Sequence, residues 1–243
     1  MGLMCVGGLS ALLGCPAADA RPVVFADSTT VIAEYRENAT SELQVFYAPA
    51  HNWSVGLGHF EVEADGLNAN HSMTYLRANL LAKRWNLESA QANIFVWGGF
   101  GGASMGRTII QPGAPPDDGH GHGEPPPENS IPLYRPALDD FAWTAGGQLD
   151  YETRRIYAAY KLDLHESDLF THRADTLQLG FAPYEHGVDS LATWLLVSGR
   201  RYSGDMHQSE ELAVLLRFFK KLVWVELGAT TDGNIQAMAM ISF

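Results

Sequence analysis

Residues Asn234 to Phe243 read NIQAMAMISF. At period two, Ile235, Ala237, Ala239, Ile241 and Phe243 make one fully apolar face. Gln236, Met238, Met240 and Ser242 make the other, which is mixed. Side chains alternate across a strand, so this pattern predicts a strand with one greasy side. It ends on an aromatic residue. The two methionines blunt the alternation, but flexible thioethers fill irregular interior gaps.

The same pattern recurs upstream. Thr29–Arg36, Ser41–Ala48 and Trp53–Glu63 read as strands separated by turn residues. In the third, Trp53, Val55 and Leu57 oppose Ser54, Gly56 and Gly58. In Ser72–Trp85, Leu76, Ala78, Leu80 and Ala82 alternate with Tyr75, Arg77, Asn79 and Lys83. RANLLAKRW also contains good helix formers. A strand is preferred there because strands and a turn flank it. Asn93–Gly106 is glycine-rich, with Phe95, Trp97 and Phe100 interspersed. Phe141–Tyr151 sets Phe141, Trp143, Ala145 and Leu149 against Thr144, Gly146, Gln148 and Asp150. Arg154–His165 alternates most clearly, with Ile156, Ala158, Tyr160, Leu162 and Leu164 opposite Tyr157, Ala159, Lys161 and Asp163. Thr171–Pro183, Leu191–Arg201, Glu211–Lys220 and Leu222–Thr230 complete a set of about twelve, with ten or fourteen also compatible.

Composition limits the alternatives. Net charge is −12, which argues against a nucleic-acid partner, because phosphate binding needs a basic surface. There is no apolar run long enough for a membrane-spanning helix. That does not argue against barrel strands, whose alternation averages hydropathy toward zero. Residues 1–20, MGLMCVGGLSALLGCPAADA, are small and apolar and end in an A-x-A pattern, as a secretory signal peptide does, although no Lys or Arg stands near Met1. Leu12-Leu13-Gly14-Cys15 offers a second reading as a lipoprotein box. Both cysteines, Cys5 and Cys15, lie in this segment, so cleavage after Ala20 leaves no thiol chemistry in residues 21–243. Residues 111–137, QPGAPPDDGHGHGEPPPENSIPLYRPA, are too rich in Pro, Gly and acids to build a core and are expected to form a long loop.

These segments together imply an all-β fold: a closed antiparallel up-and-down transmembrane β-barrel. The C-terminal stretch ending in Phe243 resembles the terminal signature of bacterial outer-membrane β-barrels. The central stretch YLRANLLAKRWNLESAQANIFVWGGFG, Tyr75 to Gly101, is similar to one in uncharacterised proteobacterial outer-membrane proteins. The resemblance covers residues 21–243. It implies a Gram-negative outer membrane, lipid around the wall, and recognition of residues 234–243 by the barrel assembly machinery. It brings no activity, so no catalytic or cofactor-binding residue is carried over. If the last strand ends on the periplasmic side, every periplasmic connection is short, and the long loop falls outside. Barrels of this class show that asymmetry.

Three groups of residues are candidates for function. His120 and His122, flanked by Asp117, Asp118 and Glu124, could ligate Zn²⁺ or Cu²⁺ weakly. Arg77, Lys83, Lys161, Asp163, Arg217 and Glu226 are expected to face the lumen, pairing to plug it or lining a narrow channel. His165, Ser167, Asp168 and His172 fall near one outer loop, where a rim-active hydrolase would need a nucleophile–base contact. No G-x-S-x-G elbow, P-loop or dinucleotide fingerprint is present, so a passive structural or narrow-channel role is expected. A soluble lipocalin-like binder is the remaining alternative. It requires the apolar faces to point inward. Oligomeric state is not legible.

Overall fold

A computed structural model describes residues 26–63, 69–107, 137–185, 190–205 and 208–243. The expected signal peptide lies outside the described residues, as does the expected loop except for Ala137. Among the described residues the strands are β1 (Ser28–Arg36), β2 (Thr40–Ala50), β3 (Trp53–Glu63), β4 (Ala69–Asn86), β5 (Ala90–Arg107) and β6 (Ala137–Thr153). They continue as β7 (Ile156–Ser167), β8 (Thr171–Phe181), β9 (Ala192–Gly204), β10 (Glu210–Lys220), β11 (Val223–Thr230) and β12 (Ile235–Ser242). Each pairs antiparallel with its neighbours in sequence, and β1 with β12, to give a closed twelve-stranded barrel.

Closure is made by the stretch that opened the sequence reading. β12 runs along β1 from Gln236 opposite Arg36 to Ser242 opposite Thr30. Thr29 N–H donates to Phe243 C=O at 2.8 Å, and Phe243 N–H donates back to Thr29 C=O at 2.9 Å. Inside the wall the Thr30 and Ser242 hydroxyls lie 2.9 Å apart. This pairing removes both sheet edges, which would otherwise expose unpaired backbone groups.

The faces follow the alternation. On β12, Gln236, Met238, Met240 and Ser242 are buried inside, while Ile235, Ile241 and Phe243 are exposed outside. Leu212, Val214 and Leu216 of β10 and Leu177, Leu179 and Phe181 of β8 face outward in the same way. Polar residues such as Gln44, Thr176 and Ser198 are buried within. This is the reverse of what a soluble binder needs, so the lipocalin-like alternative is set aside. A continuous apolar wall of this extent belongs against an apolar solvent. From Ile235 to Phe243 the wall spans roughly 20 Å, taking a rise of ~3.3 Å per residue and a tilt of ~40°. At the end holding Phe243, which we call the terminal end, Tyr47, Trp53, Trp85, Tyr151 and Phe181 are exposed on the outer wall. Toward the opposite, loop end, polar contacts bound the band: His59 Nδ1 with Thr74 Oγ1 at 2.8 Å, and Arg173 Nε donating to Asp175 at 2.7 Å.

Strand boundaries in the sequence reading fall within four residues of the structure, and the longest strands are β4, β5 and β6. These reach 18, 18 and 17 residues and extend furthest on one side. Inward-facing Gly56, Gly99 and Gly101 sit where the neighbouring backbone closes in. A Cβ there would lie 1.9–2.3 Å from the carbonyl oxygens of Val45, Leu76 and Thr74. Glycine in a strand marks such close approaches.

Candidate functional site

The chemistry of this barrel is concentrated in its lumen, which has three layers. Nearest the terminal end is an aromatic layer. Trp194, Trp224, Tyr157, Phe46 and Phe219 come from five strands and are all buried. Arg217 of β10 is fully buried among them. Its guanidinium lies 4.6 Å from the Tyr157 ring centroid and 4.5 Å from that of Trp224. Its Nε donates to Glu226 at 2.7 Å, and its Nη2 donates to Gln178 at 3.1 Å. Trp224 Nε1 donates to the same Glu226 carboxylate at 3.0 Å. Arg217 and Glu226 stand directly opposite in the β10–β11 register, so the pair is built by the backbone. A buried charge persists only when it is paired and hydrogen-bonded.

The middle layer holds a cavity of about 70 Å³ lined by charged and amide side chains together with Ile32, Trp97, Ala159 and Met238. Arg77 enters it from β4, stacked near Phe46 and Trp97 at 5.2 and 5.1 Å. Lys161 Nζ lies 2.9 Å from Asp163 and 5.7 Å from the Trp97 ring. Arg36 donates to Glu34. Arg200 Nε donates to Thr176 Oγ1 at 2.9 Å.

The layer toward the loop end holds a smaller cavity of about 20 Å³ and a histidine cluster. His165 stacks on Phe60 with ring centroids 4.2 Å apart. His172 lies 5.1 Å from the same ring, and His71 packs edge-on to Phe170. The Tyr75 hydroxyl donates to Glu42, whose carboxylate is 4.0 Å from His165 Nε2.

Five of the six expected lumen charges, Arg77, Lys161, Asp163, Arg217 and Glu226, lie inside. Lys83 does not. A β-bulge between Leu81 and Lys83 shifts the register against β5, so that Leu81 is the last buried residue of the odd series. Beyond it Arg84 turns inward and donates to Asn93 at 2.7 Å. Lys83 is exposed on the outer wall, 5.7 Å from the Trp85 ring. The same bulge places Trp85 outside, while Trp224, which alternation also assigns to the lumen, is buried there. Glu34, Arg36, Glu42 and Arg200 are lumen residues that the sequence reading omitted. Their signal was alternation with Ile32, Gln44 and Ser198, which are buried on the same faces.

The four rim residues considered for hydrolysis separate. His165 and His172 point into the barrel. Ser167 Oγ accepts from the backbone N–H groups of Leu169 and Phe170, both at 3.1 Å, and so closes the β7–β8 turn. Asp168 N–H donates to the Asp140 carboxylate at 2.7 Å. These are the contacts of a turn, not of an activated nucleophile.

Among the described residues, no group of three or more His, Cys, Asp or Glu is placed to hold a metal ion. His120, His122, Asp117, Asp118 and Glu124 lie outside the described residues.

No protein-family model matches the chain, and no curated protein sequence matches it. Several solved structures are similar in fold. A KdgM porin in complex with disordered oligogalacturonate shares 11% identity over 89% of this chain and 98% of that one, with a TM-score of 0.45. LpxR from Salmonella typhimurium shares 10% identity over 89% and 99%, with a TM-score of 0.42. A loop-deletion mutant of OmpT, an outer membrane protein of Vibrio cholerae, shares 8% over 89% and 97%, with a TM-score of 0.31.

Proposed function

We propose that this protein spans the outer membrane of a Gram-negative bacterium as a barrel whose lumen is closed at rest. Its role is structural or that of a very narrow channel, not of an open diffusion pore. The observation that carries this reading is the aromatic layer around Arg217. Bulky rings from opposite walls meet there, and a guanidinium bound to Glu226 and Gln178 fills the space between them. Twelve strands leave little room once inward side chains are packed.

Fractionation and a gel comparing boiled with unboiled samples test the membrane placement. The barrel is expected in the outer membrane, with mobility that changes on heating. Planar-bilayer recording tests the closed lumen. Reconstituted protein is expected to show no large, stable conductance steps, and steps like those of an open porin would overturn the reading.

Two subsidiary proposals belong with this one. Lipid is the partner of the outer wall, and the assembly machinery reads residues 234–243. The segment with His120, His122, Asp117, Asp118 and Glu124 is proposed as a weak Zn²⁺ or Cu²⁺ site. In a Cu²⁺ titration, the full chain is expected to bind more tightly than a variant with both histidines changed to Ala. Equal binding would end the idea.

A further inference from the structure

We propose that the mid-barrel cavity is a binding site for one small oxyanion, of carboxylate or phosphate type. This goes beyond the closed-lumen reading and does not depend on whether the aromatic layer conducts.

Most lumen charges already have partners. Glu34 is taken by Arg36, Asp163 by Lys161, and Glu226 by Arg217. Asp150, nearer the terminal end, accepts from Asn93 at 2.5 Å and from Gln148 at 3.1 Å. Of the guanidiniums that line this cavity, that leaves two whose hydrogen-bond partners are neutral. Arg77 donates through Nε to Asn79 at 2.9 Å and through Nη2 to Gln44 at 3.2 Å. Arg200 donates to Thr176 and to the Tyr202 hydroxyl at 3.3 Å. Glu211 stands opposite Arg200 in the β9–β10 register, and Glu42, toward the loop end, lies beside Tyr75 and His165.

Arg77 is the decisive residue. It is only 4% exposed and lines the cavity, yet its Nη1 makes no hydrogen bond to protein. A buried guanidinium nitrogen without an acceptor is costly, and a bound oxyanion offsets that cost.

The amides around the cavity point to the same ligand. Gln44 accepts from Arg77 through its carbonyl oxygen, and Gln178 accepts from Arg217 in the same way. Each is thereby oriented with its carbonyl toward a cation, leaving its NH₂ end as a donor to the cavity it lines. Arg77, Gln44, Gln178 and Arg200 all line this one cavity. Such a set recognises an acceptor-only, negatively charged group. The volume of about 70 Å³ is ample for one small oxyanion.

The test uses the full chain refolded in a nonionic detergent. Inorganic phosphate and acetate are titrated at constant ionic strength against chloride, with heat and unfolding midpoint as readouts. One saturable site per barrel is expected for at least one oxyanion, with none for chloride. Phosphate alone would mark a phosphate site, and acetate alone a carboxylate site. Arg77→Gln and Arg200→Gln should each weaken binding at least tenfold, whereas outer-wall Arg173→Gln should leave it unchanged. Should Arg77→Gln fail to fold, Gln44→Glu serves instead. It supplies a carboxylate beside Arg77, so it should raise the unfolding midpoint and abolish binding. The proposal is overturned if no oxyanion binds differently from chloride, or if binding survives intact in the cavity variants. A barrel that conducts and still binds would overturn only the closed lumen.

Discussion

Arg217→Ala is expected to destabilise the folded barrel by about 3–5 kcal/mol, the usual cost of removing one partner from a buried ion pair. Arg217 is fully buried, and the Glu226 side chain is 8% exposed, so losing the guanidinium leaves a nearly buried carboxylate without its cation. Glu226 would retain Trp224 Nε1 as a donor at 3.0 Å, which cannot neutralise it. Urea-dependent folding in detergent or lipid, followed by heat-modifiable mobility, measures the loss. The double variant Arg217→Met with Glu226→Gln should recover most of it. Packed neutral residues of similar volume often replace a buried pair at little cost, and the glutamine keeps an acceptor for Trp224. A loss under about 1 kcal/mol in Arg217→Ala would mean that water reaches the layer and that the lumen is open there. The same variant removes the group wedged between Tyr157 and Trp224. Conductance that rises in Arg217→Ala would therefore locate the constriction.

Gly101→Ala is expected to be at least as damaging, and Gly199→Ala close to neutral. Gly101 faces inward opposite Tyr75 in the β4–β5 register. A methyl group there would meet Thr74 O at 1.9 Å and Tyr75 Cα at 2.7 Å. Both atoms are backbone, so relief requires pulling β4 away from β5 along their longest shared ladder. Overpacking against side chains costs about 1–3 kcal/mol, and an immovable backbone should cost more. At Gly199 a Cβ meets no atom within 4 Å, and the change should stay within about 0.5 kcal/mol. The two variants differ in packing, not in intrinsic strand preference. Equal urea midpoints would show that the close approach at β5 is not what the glycine provides.

The difference between the legible and the illegible parts of this protein is one of range. Twelve strands, their order and their two faces could be read because alternation at period two is local. Each strand reports its own orientation through residues such as Leu177 and Leu179 against Thr176 and Gln178. A one-residue slip would turn an entire apolar face inward, so the pattern is strongly constrained. Residues 234–243 likewise carry the closing strand in their own sequence.

The bulge at Leu81 was not legible. It is an extra residue on β4 relative to β5, a property of the pair and not of either strand. It alone moved Lys83 and Trp85 to the outer wall and brought Arg84 in. The grouping of charges also escaped the sequence, because it depends on which inward residues face one another across the lumen. Arg217 reaches Gln178 on β8, two strands away, and Arg77 reaches Gln44 on β2. By itself, then, the sequence determined an all-antiparallel barrel with its apolar faces turned outward and its charges turned inward. Only the tertiary structure decided that Arg217 is buried between Tyr157 and Trp224 and that Arg77 retains a buried donor without an acceptor. Side-chain volume and pairing across a closed ring are settled by closure and register, and neither is a local property of the chain.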